Sequence, residues 1–368
     1  MTVGIVGAGQ LGRMLALAGY PLGLEFLCLD PSADAPAGQV APLLHGAFTD
    51  RRLLARLARQ CEVITFDWEN VSVSGLAGIA RRHRVRICPP VAALQTGQDR
   101  VAETRLFERL RIPTTRWQAV DSRRELARAM AAVGVPGVLK TRRLGYDGKG
   151  QAVIRTAADA ERGWAELGRV PLLYEEYVPF DCEVSIIGAR SLRGETAVYP
   201  LCGNVHGAGV LRLTRAPYGP ARWQRRATRY LERVLAHFRY SGILTIEFFV
   251  RRGLLIANEM APRVHNSGHW TIEGATTSQV ENHLRAILGL PLGSTRARGF
   301  SAMVNLIGEQ PPRRRLLALA GVHLHDYGKR ARPGRKMGHC TVVEPTAAAR
   351  DARARALCKD LRVDVRIP

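Results

Sequence analysis

The run Thr2-Val3-Gly4-Ile5-Val6 passes straight into Gly7-Ala8-Gly9-Gln10-Leu11-Gly12. A short, β-branched, apolar segment of this kind reads as a strand buried on both faces of a parallel sheet. The glycines turn it into a helix expected over Arg13 to Ala18. Such a strand needs parallel neighbours and covering helices, so it commits the chain to a layered architecture. Matching strands follow in EFLCLD, which ends at Asp30, in EVITF (62–66) and in RICPP (86–90), with a helix over Arg51–Arg59 between them. The expected fold class is α/β, beginning with a doubly wound parallel sheet.

Gly7 to Gly12 complete a G-x-G-x-x-G pattern, and Asp30 lies about 20 residues further on, the spacing of a dinucleotide-binding unit. Glycines at a helix N-terminus admit any phosphate ester, however, and they also allow tight strand-to-helix packing. A nicotinamide-dependent oxidoreductase and a protein with another phosphate ligand both fit this motif.

The 368 residues are 46% hydrophobic and 23% charged, which excludes a disordered or fibrous chain and allows two or three domains. No apolar run reaches the roughly 18 residues that a membrane span needs. The first residues read as a strand and not as a signal peptide, so a cytoplasmic location is expected. Seven cysteines (Cys28, Cys61, Cys88, Cys182, Cys202, Cys340 and Cys358) make no CxxC pair, which argues against a disulfide framework and a zinc site. The net charge is +22, yet only five of the 54 basic residues are lysines: Lys140, Lys149, Lys329, Lys336 and Lys359. The arginines are spread along helical stretches such as RRLLARLAR, RRATRYLERV and RDARARAL. They do not form a basic arm interleaved with aromatics, so a preference for arginine in composition explains the charge and no nucleic-acid partner is expected.

Near Asp99 the pattern changes. A helix and the string IPTTRW lead into GVLKTR, RLGYDGKG and QAVIR, which read as a hairpin around a flexible loop. LLYEEYV, EVSIIGAR and AVYPLCGN read as further strands, a long helix spans Arg222–His237, and MVNLIG, VHLHDY and GHCTVVE precede a last helix near 347–361. Lys140 ends its strand beside Gly145-Tyr146-Asp147-Gly148-Lys149-Gly150-Gln151, whose glycines let backbone amides fold over phosphates, although Asp-Gly is also an ordinary turn signal.

A second hairpin joins GILTIEFFV to LLIANEM through Arg251–Gly253. If Val250 pairs with Leu254, Glu247 pairs with Ala257, and Glu259 lies one diagonal step away on the same face, at about 7–8 Å between Cα atoms. Two such carboxylates repel unless a cation bridges them, and magnesium suits a pair of carboxylates with nucleotide phosphates. Two exposed charges on an edge strand are the alternative. In a regular strand Asn258 points to the opposite face. Ala261 to Trp270 (APRVHNSGHW) then supplies arginine, histidine, asparagine and serine in one loop, a composition fit for anions.

The strings GAGQLGRM, TFDWENV, LGYDGKGQ, NEMAPRVHNSGHWT, MVNLIG and RPGRKMGH are similar, in order and spacing, to those of the N5-carboxyaminoimidazole ribonucleotide synthetases, ATP-grasp enzymes of purine biosynthesis. The resemblance covers essentially the whole chain. It implies an N-terminal Rossmann-like domain over 1–98, a two-part α+β ATP-grasp domain over 99–295 with a small lid subdomain at about 113–177, and a small β-rich C-terminal domain over 296–368. It implies ATP, magnesium and bicarbonate, an aminoimidazole ribonucleotide as acceptor, and a homodimer. Another ATP-grasp ligase or transformylase is the alternative.

Residue by residue, the resemblance assigns Arg100, Lys140 and Gly145, Tyr146, Asp147, Gly148, Lys149, Gly150 and Gln151 to the ATP phosphates. Glu175, Glu176 and Val178 form the adenine pocket, Glu183 holds the ribose, and His206 and Asn258 lie near the nucleotide. Glu247 and Glu259 hold magnesium. Gly9, Gln10, Leu11, Glu69, Tyr146, Asp147, Arg263, His265, Asn266, Ser267, Gly268, Lys329 and Arg335 surround the ribonucleotide. Asp147, Arg263, His265 and Lys140 carry the chemistry, in which ATP phosphorylates bicarbonate to carboxyphosphate and the exocyclic amine takes the carboxyl group. Thr104, with Arg105 beside it, stands where the family has a lysine four residues after Asp99-Arg100.

Overall fold

The opening strand motif seeds the first layer. The computed structural model describes residues 1–145, 148–361 and 363. Strands β1 (Thr2–Val6), β2 (Glu25–Asp30), β3 (Leu43–His45), β4 (Val63–Phe66) and β5 (Arg86–Ile87) form a parallel sheet in the order β3-β2-β1-β4-β5. Helices α1 (Gln10–Gly19), α2 (Arg51–Gln60), α3 (Val73–His83) and α4 (Val91–Gly97) alternate with the strands. The strands read as unbroken apolar runs because they are buried on both faces: Val3, Ile5, Leu29 and Ile64 have essentially no exposed surface. Helix α1 starts three residues before the expected Arg13, because Gly9 already serves as its N-cap. Asp50 caps α2 by accepting from the Arg52 and Leu53 amides, and Asp99 caps α5 (Arg100–Arg109) in the same way.

The lid layer is a four-stranded antiparallel sheet in the order β6-β9-β7-β8, from β6 (Trp117–Val120), β7 (Gly137–Thr141), β8 (Gln151–Ile154) and β9 (Leu172–Glu176). Helices α6 (Arg123–Val133) and α7 (Ala157–Leu167) close its own small core around Leu126, Ala129, Leu139 and Tyr174.

The third layer holds nine strands among the described residues: β10 (Cys182–Arg190), β11 (Thr196–Val198), β12 (Cys202–Gly207), β13 (Val210–Ala216), β14 (Gly242–Arg251), β15 (Leu254–Ala261), β16 (Phe300–Ile307), β17 (His323–Asp326) and β18 (Lys336–Glu344). Its order is β15-β14-β10-β12-β13-β16-β18-β17, with β11 added beside β10. AVYPLCGN, expected as one strand, is two, because Pro200 has no amide to continue the ladder. The strands after residue 299 extend this same sheet, β16 pairing with β13 through Leu213–Val304, so the edge of β13 is covered and not left open. Helices α8 (Ala221–His237), α9 (Thr271–Gly274), α10 (Gln279–Leu288), α11 (Arg313–Leu317) and α12 (Ala347–Asp360) complete the layers.

The β14–β15 hairpin departs from the expected register. Val250 pairs with Leu255, across a tight turn in which Arg252 (φ 50°) and Gly253 (φ 75°) both take the left-handed conformation. Beyond Phe248–Ala257 the ladder shifts, and Glu247 pairs with Glu259. Asn258 is an extra residue, a β-bulge, so the two carboxylates face each other directly and not along a diagonal.

Candidate active site

A cleft opens between the lid sheet and the large sheet. Lys140, Gly148, Lys149 and Gln151 line it from the lid, and Glu183, His206, Glu247, Asn258 and Glu259 line it from the large sheet. Arg100, His265, Asn266 and Lys336 complete the wall. The bulge turns Asn258 to the same side as Glu259, which a regular strand does not allow.

Charges in the cleft are paired closely. The Lys140 ammonium lies 2.5 Å from Glu175 Oε1, and both side chains are almost fully buried. Thr115 Oγ1 donates to the other Glu175 oxygen at 3.3 Å. Burial opposes ionisation of Glu176, but Arg116 at 3.0 Å and Arg251 at 3.2 Å hold its carboxyl below the usual range. Val178 is buried just beyond β9. Burial opposes protonation of His206, but its Nδ1 meets Glu183 Oε2 at 2.8 Å, and this bond pushes the imidazole up. Burial pushes the Glu247 carboxyl up to about 7, and the neighbouring Glu259 and Glu183 add to the rise while His206 opposes it. Arg100 Nη1 reaches Glu259 Oε2 at 3.3 Å.

His265 lies 3.5 Å from Glu247 Oε1 through Nε2, and burial, with Arg263 nearby, drives its pKa well down. The contact is therefore that of a neutral ring and not an ion pair. The Ser267 amide donates to His265 Nδ1 at 3.3 Å, which leaves the ring proton on Nε2, facing Glu247. A row of buried polar side chains runs to the same nitrogen. Thr214 donates to Asn204 (3.0 Å), Asn204 to Ser185 (3.0 Å), and Ser185 to Ser267 (2.8 Å), whose hydroxyl lies 2.9 Å from His265 Nδ1. Ser185, Asn204 and Thr214 sit on the adjacent strands β10, β12 and β13 and were invisible to motif reading, because only strand order brings them together.

A second group gathers at the junction with the first sheet. Arg263 Nη2 binds Glu69 Oε1 at 2.7 Å. Lys329 donates to the Gln10 side chain and to the Lys336 carbonyl. Asn266 and Asn305 exchange a pair of amide hydrogen bonds at 3.0 and 2.7 Å. Gly268 packs on Gln279, where a Cβ would come within 2.5 Å of the amide group. Gly9 and Leu11 flank Gln10 at the start of α1, and Leu11 is buried. Arg335 is half-buried and donates to the Arg330 carbonyl, outside the cleft wall. Tyr146 and Asp147 lie outside the described residues.

Two backbone amides of the glycine motif, those of Ala8 and Gly12, are bound by the protein's own carboxylates. Asp67 Oδ2 accepts from the Gly12 amide at 3.0 Å, and burial lifts the Asp67 carboxyl to about 6. Asp30, the candidate ribose ligand of a dinucleotide site, accepts from the Ala8 and Ser32 amides, each at 2.8 Å. Lys336, one of the five lysines, lines the cleft and was not assigned by sequence; its scarcity in so arginine-rich a chain was the available signal.

Comparison with known proteins matches this arrangement. A ribonucleotide synthetase preATP-grasp domain model matches residues 1–98, an ATP-grasp domain model 105–280, and a phosphoribosylaminoimidazole carboxylase C-terminal domain model 301–353. The N5-carboxyaminoimidazole ribonucleotide synthase of Pseudomonas aeruginosa is 48% identical over 360 residues, covering 97% of this chain and 99% of its own. The chain belongs to the N5-carboxyaminoimidazole ribonucleotide synthetase family.

Solved structures of this family superpose along the whole length. The synthetase of Thermus thermophilus has a TM-score of 0.94 at 48% identity, with 100% of both chains covered. The Aspergillus clavatus enzyme, solved in complex with ADP and 5-aminoimidazole ribonucleotide, has a TM-score of 0.91 at 30% identity, with 98% of each chain covered. Family membership overturns the oxidoreductase reading of Gly7–Gly12, and the Asp30 carboxylate that a dinucleotide ribose needs is instead held by the Ala8 and Ser32 amides.

Proposed function

We propose that this protein uses ATP and bicarbonate to carboxylate 5-aminoimidazole ribonucleotide, giving N5-carboxyaminoimidazole ribonucleotide in purine biosynthesis. The near-complete, 48% identity to a synthetase of that name carries the reading, and the cleft between lid and large sheet supports it. Transfer of the γ-phosphoryl group to bicarbonate gives carboxyphosphate. Attack by the exocyclic amine then forms the N–C bond and the amine loses a proton; phosphate leaves in that step when carboxyphosphate is attacked directly, or beforehand when carboxyphosphate breaks down to carbon dioxide within the closed site.

Two carboxylates facing each other across the β14–β15 ladder and lining the cleft suit a divalent cation, and Glu247 and Glu259 are the residues that would hold it in this reading. Magnesium bound there supplies countercharge to the transferring phosphoryl group. Lys140, held by Glu175, binds the ATP phosphates, with Arg100 and the glycine loop 145–151. Glu175, Glu176 and Val178 wall the adenine, and Glu183 takes the ribose beside His206. Arg263 stabilises the carboxyphosphate oxyanion, and the Nε2–H of His265 orients the reacting groups. Asp147 orients or deprotonates the amine, with Tyr146 beside it. Gly9 to Leu11, Glu69, Asn266 to Gly268, Lys329 and Arg335 hold the ribonucleotide.

The decisive experiment measures phosphate release from ATP with bicarbonate and magnesium, with and without the aminoimidazole ribonucleotide. Strong stimulation by the ribonucleotide, with carboxylated product, supports the reading. Folded protein that binds ATP without stimulation overturns it. A homodimer in the cytoplasm belongs to the same reading, and sedimentation equilibrium tests the dimer. Among the described residues no helix is long and apolar enough to cross a membrane.

A further inference from the structure

Strand β15 is the outer strand of the large sheet, so alternate backbone amides along it point away from β14 and need other partners. Two of them find partners on either side of the Asn258 bulge. The Ala257 amide donates to the Pro113 carbonyl at 2.7 Å, and the Met260 amide donates to Glu103 Oε1 at 2.6 Å. Glu103 lies in the first turn of α5 and is 3% exposed. Arg100, three residues earlier in the same turn, reaches the Glu259 carboxylate at 3.3 Å. One turn of α5 thus holds Glu259 by its side chain and the next residue by its backbone.

We propose that Glu103 is a positioning residue: its hydrogen bond to Met260 pins the free edge of β15 beside the bulge and so keeps Glu259 opposite Glu247. A bulge leaves one residue out of the ladder and can migrate along a strand, changing which side chain faces the partner. Anchors at Ala257, just before Asn258, and at Met260, two residues after it, fix it in place. In this role the Glu103 side chain serves as a hydrogen-bond acceptor, so glutamine can replace it and an apolar side chain of similar length cannot. The consequence for the metal rests on the reading of Glu247 and Glu259 as its ligands.

Two readouts test this. Amide exchange of segment 255–261, followed by mass spectrometry on metal-free protein, is expected to match wild type in Glu103→Gln and to rise about tenfold in Glu103→Met. Binding of Mn²⁺ with β,γ-methylene-ATP, followed by electron paramagnetic resonance, is expected to weaken about tenfold in Glu103→Met and to be retained in Glu103→Gln. If Glu103→Met does not fold, Glu103→Asp, whose carboxylate stops one methylene short, takes its place with the same expectation. Unchanged exchange and unchanged Mn²⁺ affinity without the acceptor overturn the proposal. A Glu103→Gln variant as damaged as Glu103→Met also overturns it, because charge would then be the operative property. Glu259→Gln is the control: if it leaves Mn²⁺ affinity unchanged, the metal assignment fails, while exchange at 255–261 still decides the role of Glu103.

Discussion

Glu247 and Glu259 stand directly opposite one another across the β14–β15 ladder, brought there by the single extra residue Asn258. Directly opposed like charges on neighbouring strands destabilise the pair. The protein meets the conflict with Arg100 on one carboxylate, neutral His265 beside the other, and a Glu247 carboxyl lifted to about 7.

That lift predicts the pH dependence of the metal-free protein. A carboxyl whose folded pKa exceeds its unfolded value binds a proton more tightly when folded, so it favours the fold at low pH. This contribution is lost as pH rises from about 4.5 to about 7. The melting temperature of metal-free protein is expected to fall over that range by more in wild type than in Glu247→Gln, and magnesium with ATP is expected to restore it. Parallel profiles for the two proteins would contradict the assignment.

Lys140 and Glu175 are each other's countercharge in a nearly dry site. Removing one partner strands the other, at a cost of about 3–5 kcal/mol. Lys140→Met is therefore expected to lower stability in urea unfolding by that order and to raise the KM for ATP. The double variant Lys140→Met/Glu175→Met should recover most of the stability and none of the ATP affinity.

Ser185 connects Asn204 to Ser267 in the polar row that ends on His265. Ser185→Ala leaves a buried amide donor without an acceptor, and the expected loss of stability is about 1–3 kcal/mol. Loosening of the His265 ring should lower kcat with little change in the KM for ATP. Thermal unfolding and steady-state kinetics read the two effects separately.

Gly7 has φ +96°, and a Cβ there would lie 1.8 Å from Asp67 Oδ1. Gly7→Ala is expected to destabilise the protein by about 2–4 kcal/mol, from backbone strain and overpacking together. Asp67→Ala should relieve part of that penalty, so the double variant should be more stable than the sum of the single effects predicts. Additive losses in chemical denaturation would show that the contact is not the cause.

Much of the architecture was legible from local pattern. Apolar runs without alternation marked the parallel sheet, and the strings around Lys140, Glu247 and Glu259 marked the cleft, because strand period and turn chemistry are short-range properties. The bulge was not legible. A regular hairpin register counted from the turn put Glu259 on a diagonal and Asn258 on the far face, and only the packing of the α5 helix and the Pro113 carbonyl against the outer edge of β15 selects the shifted ladder. Glu103 carried no motif signal for the same reason: its partner is a backbone amide 157 residues away.

Sequence alone determined the α/β class, the family resemblance and the residue types available for phosphate and metal chemistry, since these depend on identity and spacing along the chain. Tertiary structure decided which of them meet. Asp30 fits the spacing of a nucleotide ligand yet its carboxylate is taken by two backbone amides, while Ser185, Asn204 and Thr214, distant in sequence, line up behind His265. The physical reason is that a polar group acts on whatever partner burial leaves within about 3 Å of it, and that partner is chosen by strand order and packing across the whole fold.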